Sequence, residues 1–315
     1  MFRSTRSYHT GGFIEYRTEQ YTGFKTRICP ERLKRGINTG SMPVYSPDGC
    51  PFCLPLVEEI TPTFEDGTRI HVGESITFPN LYPFASYHVV TTITQAHFVE
   101  QFSVRQIADA LAGQVRALTD CTGYISINWN YLPSAGASLP HPHLQGLADA
   151  LPDTLPSRYI DASLQYQQES GRQYREDLII HEEKGGRVLT GTRLFWYVHP
   201  VPIGEREIRC LLPITTVEDF FSVIDDYAAD LLQIINLYRE LGTFAFNVAI
   251  FFGLSEEKSF FHAFSTIISR INPNPLSGSD TAFMERLHLE PVILTLPEDL
   301  ASFWRECAES GNWAL

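Results

Sequence analysis

The chain has 315 residues, 43% of them hydrophobic, which is enough apolar side chain for two ordinary cores or one large one. Its 37 acidic residues against 24 basic give a formal net charge of −13, and the absence of any Lys/Arg-rich run argues against a nucleic acid partner. No run approaches the length of a membrane span and MFRSTRSYHTGGF at the start carries no signal-peptide core, so a cytoplasmic protein without membrane contact is expected.

Residues 1 to about 45 mix Arg, Gly, Thr and Tyr without steady periodicity and read as an extended arm with short strands such as 23–29. A Pro-rich segment from Pro43 to Pro62 follows and contains CPFC. Residues 69–78 and 87–92 are rich in β-branched and aromatic side chains and predict strands. Over 102–118 the apolar residues Val104, Ile107, Leu111, Val115 and Leu118 recur at helical spacing, and 124–130 returns to strand character. Residues 151 to about 170 read as a loop and give the natural domain boundary. The expected domains are therefore 1–165 and 166–315.

The second half repeats the order of the first. Residues 194–198 and 208–212 are strand candidates. Residues 217–238 predict a helix with Phe220, Val223, Tyr227, Leu231 and Ile234 on one stripe, and 244–252 is strand-like. Asn128 precedes His143 by the same interval that separates Asn247 from His262. An α+β protein of two related strand–helix–strand units is expected, with most of the chemistry in the first.

That chemistry centres on SLPHPHLQG at 138–146. In a strand His141, His143 and Gln145 share a face. Pro140 and Pro142 cannot donate to a ladder, which places the segment at a sheet edge or where the ladder has ended. Two histidines in a Pro-rich loop would be unremarkable alone, but the in-phase Gln and the small residues Gly136, Ala137 and Ser138 favour a phosphate site. In CPFC, Cys50 and Cys53 have the spacing by which two thiolates reach one metal, although two thiols in a proline-bounded turn fit the isolated motif equally well. Among the six cysteines, at 29, 50, 53, 121, 210 and 307, only these two are close in sequence, and reduced thiols are the default. His88, His97, His141 and His143 are the candidates to complete a zinc site.

Taken in order, GCPFC, FPNLYP, QAH and NYLPSAGASLPHPHLQ resemble the galactose-1-phosphate uridylyltransferase branch of the histidine-triad superfamily, which includes ADP-sugar and diadenosine tetraphosphate phosphorylases. The resemblance implies two histidine-triad-like domains, each an antiparallel sheet with packed helices. It implies that His143 carries a nucleotidyl group covalently, with Gln145 and Ser138 on the phosphate, Asn130 on the nucleotide and Asn80 beside base and ribose. It implies a structural zinc on Cys50, Cys53, His97 and His141, with His97 preferred to His88, and a homodimer. The expected substrates are a nucleotide sugar or other nucleotide, with a sugar 1-phosphate or inorganic phosphate as acceptor.

The chain departs from the uridylyltransferase pattern in its second half. FHAF keeps His262 but has Phe264 where the family writes a second histidine, and no glutamate follows Gln145 until Glu169, so a second metal is not expected. Glu290 to Val292 stand where the uridylyltransferases place a hexose-binding glutamine, which questions galactose 1-phosphate as acceptor. The alternatives are an ADP-sugar or dinucleoside polyphosphate phosphorylase or hydrolase, and a non-catalytic nucleotide-binding zinc protein. His181, His199, His262 and His288 read as structural, and the aromatic runs near 244, 251 and 260 read as core.

Overall fold

The computed structural model describes residues 1–35, 44–274 and 279–310, so Pro43, the start of the Pro-rich segment, lies outside the described residues. In chain order the elements are β1 Phe2–His9, β2 Gly12–Glu19, β3 Lys25–Ile28, α1 Leu56–Ile60, β4 Ile70–Val72, β5 Ser75–Pro79 and β6 Tyr87–Thr92. Then come α2 Val104–Leu118, β7 Tyr124–Tyr131, β8 His143–Asp149, α3 Thr154–Ser170, α4 Tyr174–Lys184, β9 Phe195–Val198 and β10 Ile208–Leu211. The chain continues through α5 Ile224–Glu240, β11 Phe246–Phe251, β12 Phe264–Ser269, β13 Val292–Ile293 and α6 Pro297–Ser310.

Nine strands form one antiparallel sheet in the order β4-β5-β6-β8-β7-β11-β12-β10-β9. The block β5-β6-β8-β7 is matched by β9-β10-β12-β11, with α2 linking β6 to β7 and α5 linking β10 to β11. The repeated order anticipated from the sequence is therefore present, and the halves join where β7 pairs with β11, Asn130 opposite Asn247. The protein is α+β. A second sheet, β1-β2-β3-β13, includes the N-terminal arm.

The helical stripe predicted over 102–118 forms α2. Ser103 caps it by accepting from the Gln106 N–H, and the Gln106 side chain returns the bond to the Ser103 N–H. Ile107, Leu111, Val115 and Leu118 are buried with Leu144, Ile127 and Trp129 in the main core. Each such side chain contributes about 1.5–3 kcal/mol relative to exposure. From α5, Tyr227, Leu231, Ile234 and Ile235 join the same core. The opposite face of the sheet is covered differently along its length. On the second half, Tyr159 and Ile160 of α3 and Tyr174 and Leu178 of α4 pack with Tyr197, Leu211, Phe251 and Phe264.

Several expectations are corrected. Residues 151–170 are not a loop: α3 begins at Thr154, and Pro156 lies in its first turn, where a missing N–H costs nothing. The residue 165 at which the first domain was expected to end falls within this helix. Residues 69–78 are a hairpin, β4 paired with β5, turned at Gly73 with φ of +57°. The stripe over 217–238 is broken at Val223, after a 3₁₀ turn at Glu218–Ser222. The N-terminal arm is largely a β1–β2 hairpin with Phe2 opposite Glu19.

Candidate active site and metal centre

β8 is a central strand. It pairs with β6 on one side, His143 opposite Thr92, and with β7 on the other, Gln145 opposite Asn128. Of the two placements inferred from the prolines, this excludes the sheet edge and leaves the end of the ladder. Both prolines precede the strand, and Pro142 still serves the ladder through its carbonyl, which accepts the Ile93 N–H at 3.0 Å. The open element is a face of the sheet rather than an edge.

Cys50 and Cys53 lie in a turn closed by the Cys53 N–H bonding to the Cys50 carbonyl at 3.2 Å, immediately before α1. His97 comes from the loop after β6 and His141 from the lead-in to β8. The Cys53 sulfur is 3.4 Å from Nδ1 of His97 and 3.4 Å from Nδ1 of His141, and the Cys50 sulfur is 3.9 Å from Nδ1 of His141. One donor atom from each of the four residues lies within 4.8 Å of every other. Tetrahedral coordination with bonds of about 2.0–2.3 Å places its donors about 3.3–3.8 Å apart, so the donor set fits. The tautomer fits as well. Nε2–H of His141 donates to the Thr94 carbonyl at 2.9 Å, which turns the Nδ1 lone pair to the sulfurs. Burial pushes the His141 imidazole down to about 4 and, with the neighbouring Cys50, the Cys53 thiol up to about 11. These four residues form a cluster that can hold a metal ion.

His143 is 4% exposed. Its Nδ1–H donates to the His141 carbonyl at 2.8 Å; a carbonyl can only accept, so Nε2 carries the lone pair. Burial lowers its basicity, outweighing that hydrogen bond. The ring meets Phe52 edge to face at 5.2 Å between centroids, and Phe52 also borders His141 at 6.1 Å. His143 lines a cavity of about 260 Å³ with Gln145, Ser138, Asn80, Phe52 and Tyr82. A buried, uncharged imidazole that keeps one nitrogen free of a proton and lines a cavity is suited to nucleophilic attack.

Three of the anticipated ligand-binding residues, Gln145, Ser138 and Asn80, therefore share the cavity with His143. Asn130 is not among the residues that line it, and its Oδ1 accepts from Nδ2 of Asn247 at 2.7 Å. His88, the alternative metal ligand, faces Asn80 and Gln145 instead, with Nε2 3.0 Å from each. Phe52 and the Thr94 carbonyl were not anticipated. The Phe between the two cysteines is visible in the sequence, but its contact with both histidines depends on the turn. His262 lies beside Arg175 in a separate small cavity, where burial and that charge push it down to about 4. His199 is buried near Glu19 and Glu207. Glu290 is paired with Arg27 at 2.9 Å.

No protein-family model matches the chain. It is 25% identical over 270 residues to an uncharacterized protein of Archaeoglobus fulgidus, covering 82% of this chain and 81% of that one. Among solved structures it is similar to an ADP-glucose phosphorylase from Arabidopsis thaliana with bound ADP-glucose, at a TM-score of 0.72 and 19% identity, over 93% of this chain and 99% of that one. A GalT-like protein from Arabidopsis thaliana matches at 0.71 and 18%, over 92% and 98% of the two chains. A uridylyltransferase matches at 0.66 and 17%, over 94% and 99%. The chain has the fold of these proteins.

Proposed function

We propose that the protein is a nucleotidyltransferase of the uridylyltransferase type, working through a covalent adduct on His143. The observation that carries this reading is the bond from His143 Nδ1–H to the His141 carbonyl, which leaves Nε2 unprotonated on a ring that lines a cavity with Gln145, Ser138 and Asn80. In the first step the Nε2 lone pair forms a bond to the α-phosphorus of a nucleotide donor. The bond from that phosphorus to the bridging oxygen breaks, and its electron pair leaves with the sugar phosphate. The adduct keeps its Nδ1 proton and hence a positive ring, which makes it a good leaving group when an acceptor phosphate oxygen attacks. Gln145 and Ser138 are assigned to the phosphate, and Asn80 to the nucleoside end. Asn130 is assigned to the nucleotide through a turn of its amide away from Asn247.

In this reading the metal is zinc, held by Cys50, Cys53, His97 and His141. It supplies a rigid anchor for the strand that carries the nucleophile, and takes no part in the bond changes. The enzyme works as a cytoplasmic homodimer. Among the described residues no helix is long and apolar enough to cross a membrane.

A phosphorylase reading, with inorganic phosphate as acceptor and an ADP-sugar as donor, is favoured by the likeness to the ADP-glucose phosphorylase. The separating experiment is a matrix of UDP-sugars, ADP-sugars and dinucleoside polyphosphates against sugar 1-phosphates, inorganic phosphate and water. Transfer to a phosphorylated acceptor supports the proposal. Release of nucleoside monophosphate alone, unchanged by acceptors, would make the protein a hydrolase, and no turnover of any donor would leave a binding protein.

A further inference from the structure

His88 belongs neither to the metal cluster nor to the cavity lining, yet it is 4% exposed and its Nε2 is shared by two residues that line the cavity. Strand register explains the contact. On β6 His88 stands opposite Leu147, which puts it diagonal to Gln145 on the same face of the sheet. Phe84 closes over the imidazole at 4.4 Å between centroids. Nδ1 is buried without a hydrogen-bond partner. The surroundings therefore give Nδ1 no partner for a proton, and the choice of tautomer falls to the neighbours of Nε2.

Those neighbours make opposite demands. The Tyr82 N–H donates to Oδ1 of Asn80 at 2.9 Å, which fixes the Asn80 amide and aims its Nδ2 hydrogens at His88 Nε2, 3.0 Å away. That requires a lone pair on Nε2. Oε1 of Gln145, also at 3.0 Å, requires a proton there. A neutral imidazole nitrogen satisfies one demand at a time, and burial, though opposed by the Gln145 bond, holds His88 in the neutral form. The two outcomes differ at the cavity. With the proton on Nε2, Gln145 Oε1 is held and its NH₂ group faces the cavity as a donor. With the lone pair on Nε2, Gln145 must turn its NH₂ group inward and present oxygen to the cavity, which repels phosphate.

We propose that His88 is a positioning residue that sets the direction of the Gln145 amide, and that Asn80 and Gln145 are coupled through its single nitrogen. A nucleotide that draws the Asn80 amide to itself frees Nε2 to take the proton, which then aims the Gln145 NH₂ group at the phosphate. This role rests on the reading of the His143 cavity as a phosphate site, but the tautomer coupling does not.

Two measurements test it. Imidazole nitrogen shifts of the ¹⁵N-labelled protein, assigned to His88 by their loss in His88→Leu, report the tautomer without any substrate. Asn80→Ala is expected to place the proton on Nε2 and Gln145→Ala to place it on Nδ1; the same tautomer in both variants overturns the coupling. The second measurement is the rate of His143 adduct formation from the donor that labels wild type. His88→Leu is expected to slow it about tenfold with donor Kd changed by about twofold or less, and His88→Gln, which keeps a donor near the Nε2 position, is expected to restore most of it. In a Gln145→Ala background the same His88→Leu change should alter the rate by about twofold or less. Equal rates in wild type and His88→Leu, or an undiminished His88→Leu effect without Gln145, overturn the positioning role. A wild-type protein that forms no adduct overturns the proposed function instead, and the tautomer result still decides the coupling.

Discussion

His141 and His143 are joined by a single bond, from the Nδ1–H of His143 to the backbone carbonyl of His141 at 2.8 Å. The side chain of His141 meanwhile turns its own Nδ1 to Cys50 and Cys53 at 3.9 and 3.4 Å. One residue thus ties the metal cluster to the tautomer of the proposed nucleophile. The two histidines of the HPH motif stand two residues apart in sequence, and the proposed roles are unequal.

This inequality predicts different losses. His143→Ala keeps the four donors and should retain about one metal per chain, whereas His141→Ala should fall well below that. Activity should order the other way. Removing the nucleophile should cost at least about 10⁴-fold. His141→Ala retains the carbonyl that orients His143 and should cost about 10²-fold, through lost positioning. Metal analysis beside adduct formation checks both; equal metal loss in the two variants contradicts the division.

Stripping the metal with a chelator should lower Tm by at least about 5 °C and should slow adduct formation. Readdition of zinc should restore both. Differential scanning calorimetry with parallel rate measurements reads the result. An unchanged Tm would mean that the cluster holds no structural ion.

Gly146 follows Gln145 and faces α2. A Cβ there would lie 2.8 Å from Leu118 and 2.9 Å from Val89, with the Gln114 side chain also in its way. Gly146→Ala should therefore push α2 from the sheet and cost about 1–3 kcal/mol. Because the displaced strand carries His143, activity should fall with it. Ser103→Ala, by contrast, removes only the cap of α2. It should cost about 1 kcal/mol with adduct formation unchanged. Thermal denaturation and rate assays on the pair separate overpacking near the nucleophile from a distant loss of stability.

Acid stability should depend on Glu19. Burial alone would raise its pKa, but the His199 imidazole, the Arg209 charge and the Thr22 hydroxyl outweigh burial and hold it at about 2. A folded pKa below the unfolded value means that the contribution is fully present above about pH 4.5 and is lost as pH falls toward about 2. Glu19→Gln should be less stable than wild type at neutral pH and should flatten the acid limb between these values. Denaturant melts across the range check this, and an unaltered acid limb would contradict it.

The cavity segment was legible because its spacing carries the geometry: alternation in HPHLQ put His143 and Gln145 on one face, and both line the cavity. Of the edge and the ladder end that the prolines allowed, the edge failed because both lie before β8, where Pro142 still accepts a bond through its carbonyl. The N-terminal hairpin was hidden by an inverted pattern. The buried positions of β2 include Glu15, Arg17 and Glu19, satisfied by Arg6, Glu298 and Tyr159, so no hydrophobic alternation marks the strand. α3 was hidden by Pro156, which breaks a helix interior but not a first turn. His88 and His97 could not be separated by residue type. The register of β6 against β8 puts one beside Gln145, while the loop after β6 carries the other to Cys53.

A covalent nucleotidyl group on His143 is detected by incubating the protein with donors labelled at the α-phosphorus. The label is expected to survive alkali, to be lost in acid, to map to the peptide containing His143 and to be absent from His143→Ala. Turnover of a nucleotide donor with no trapped label, or a label on any other residue, would contradict it.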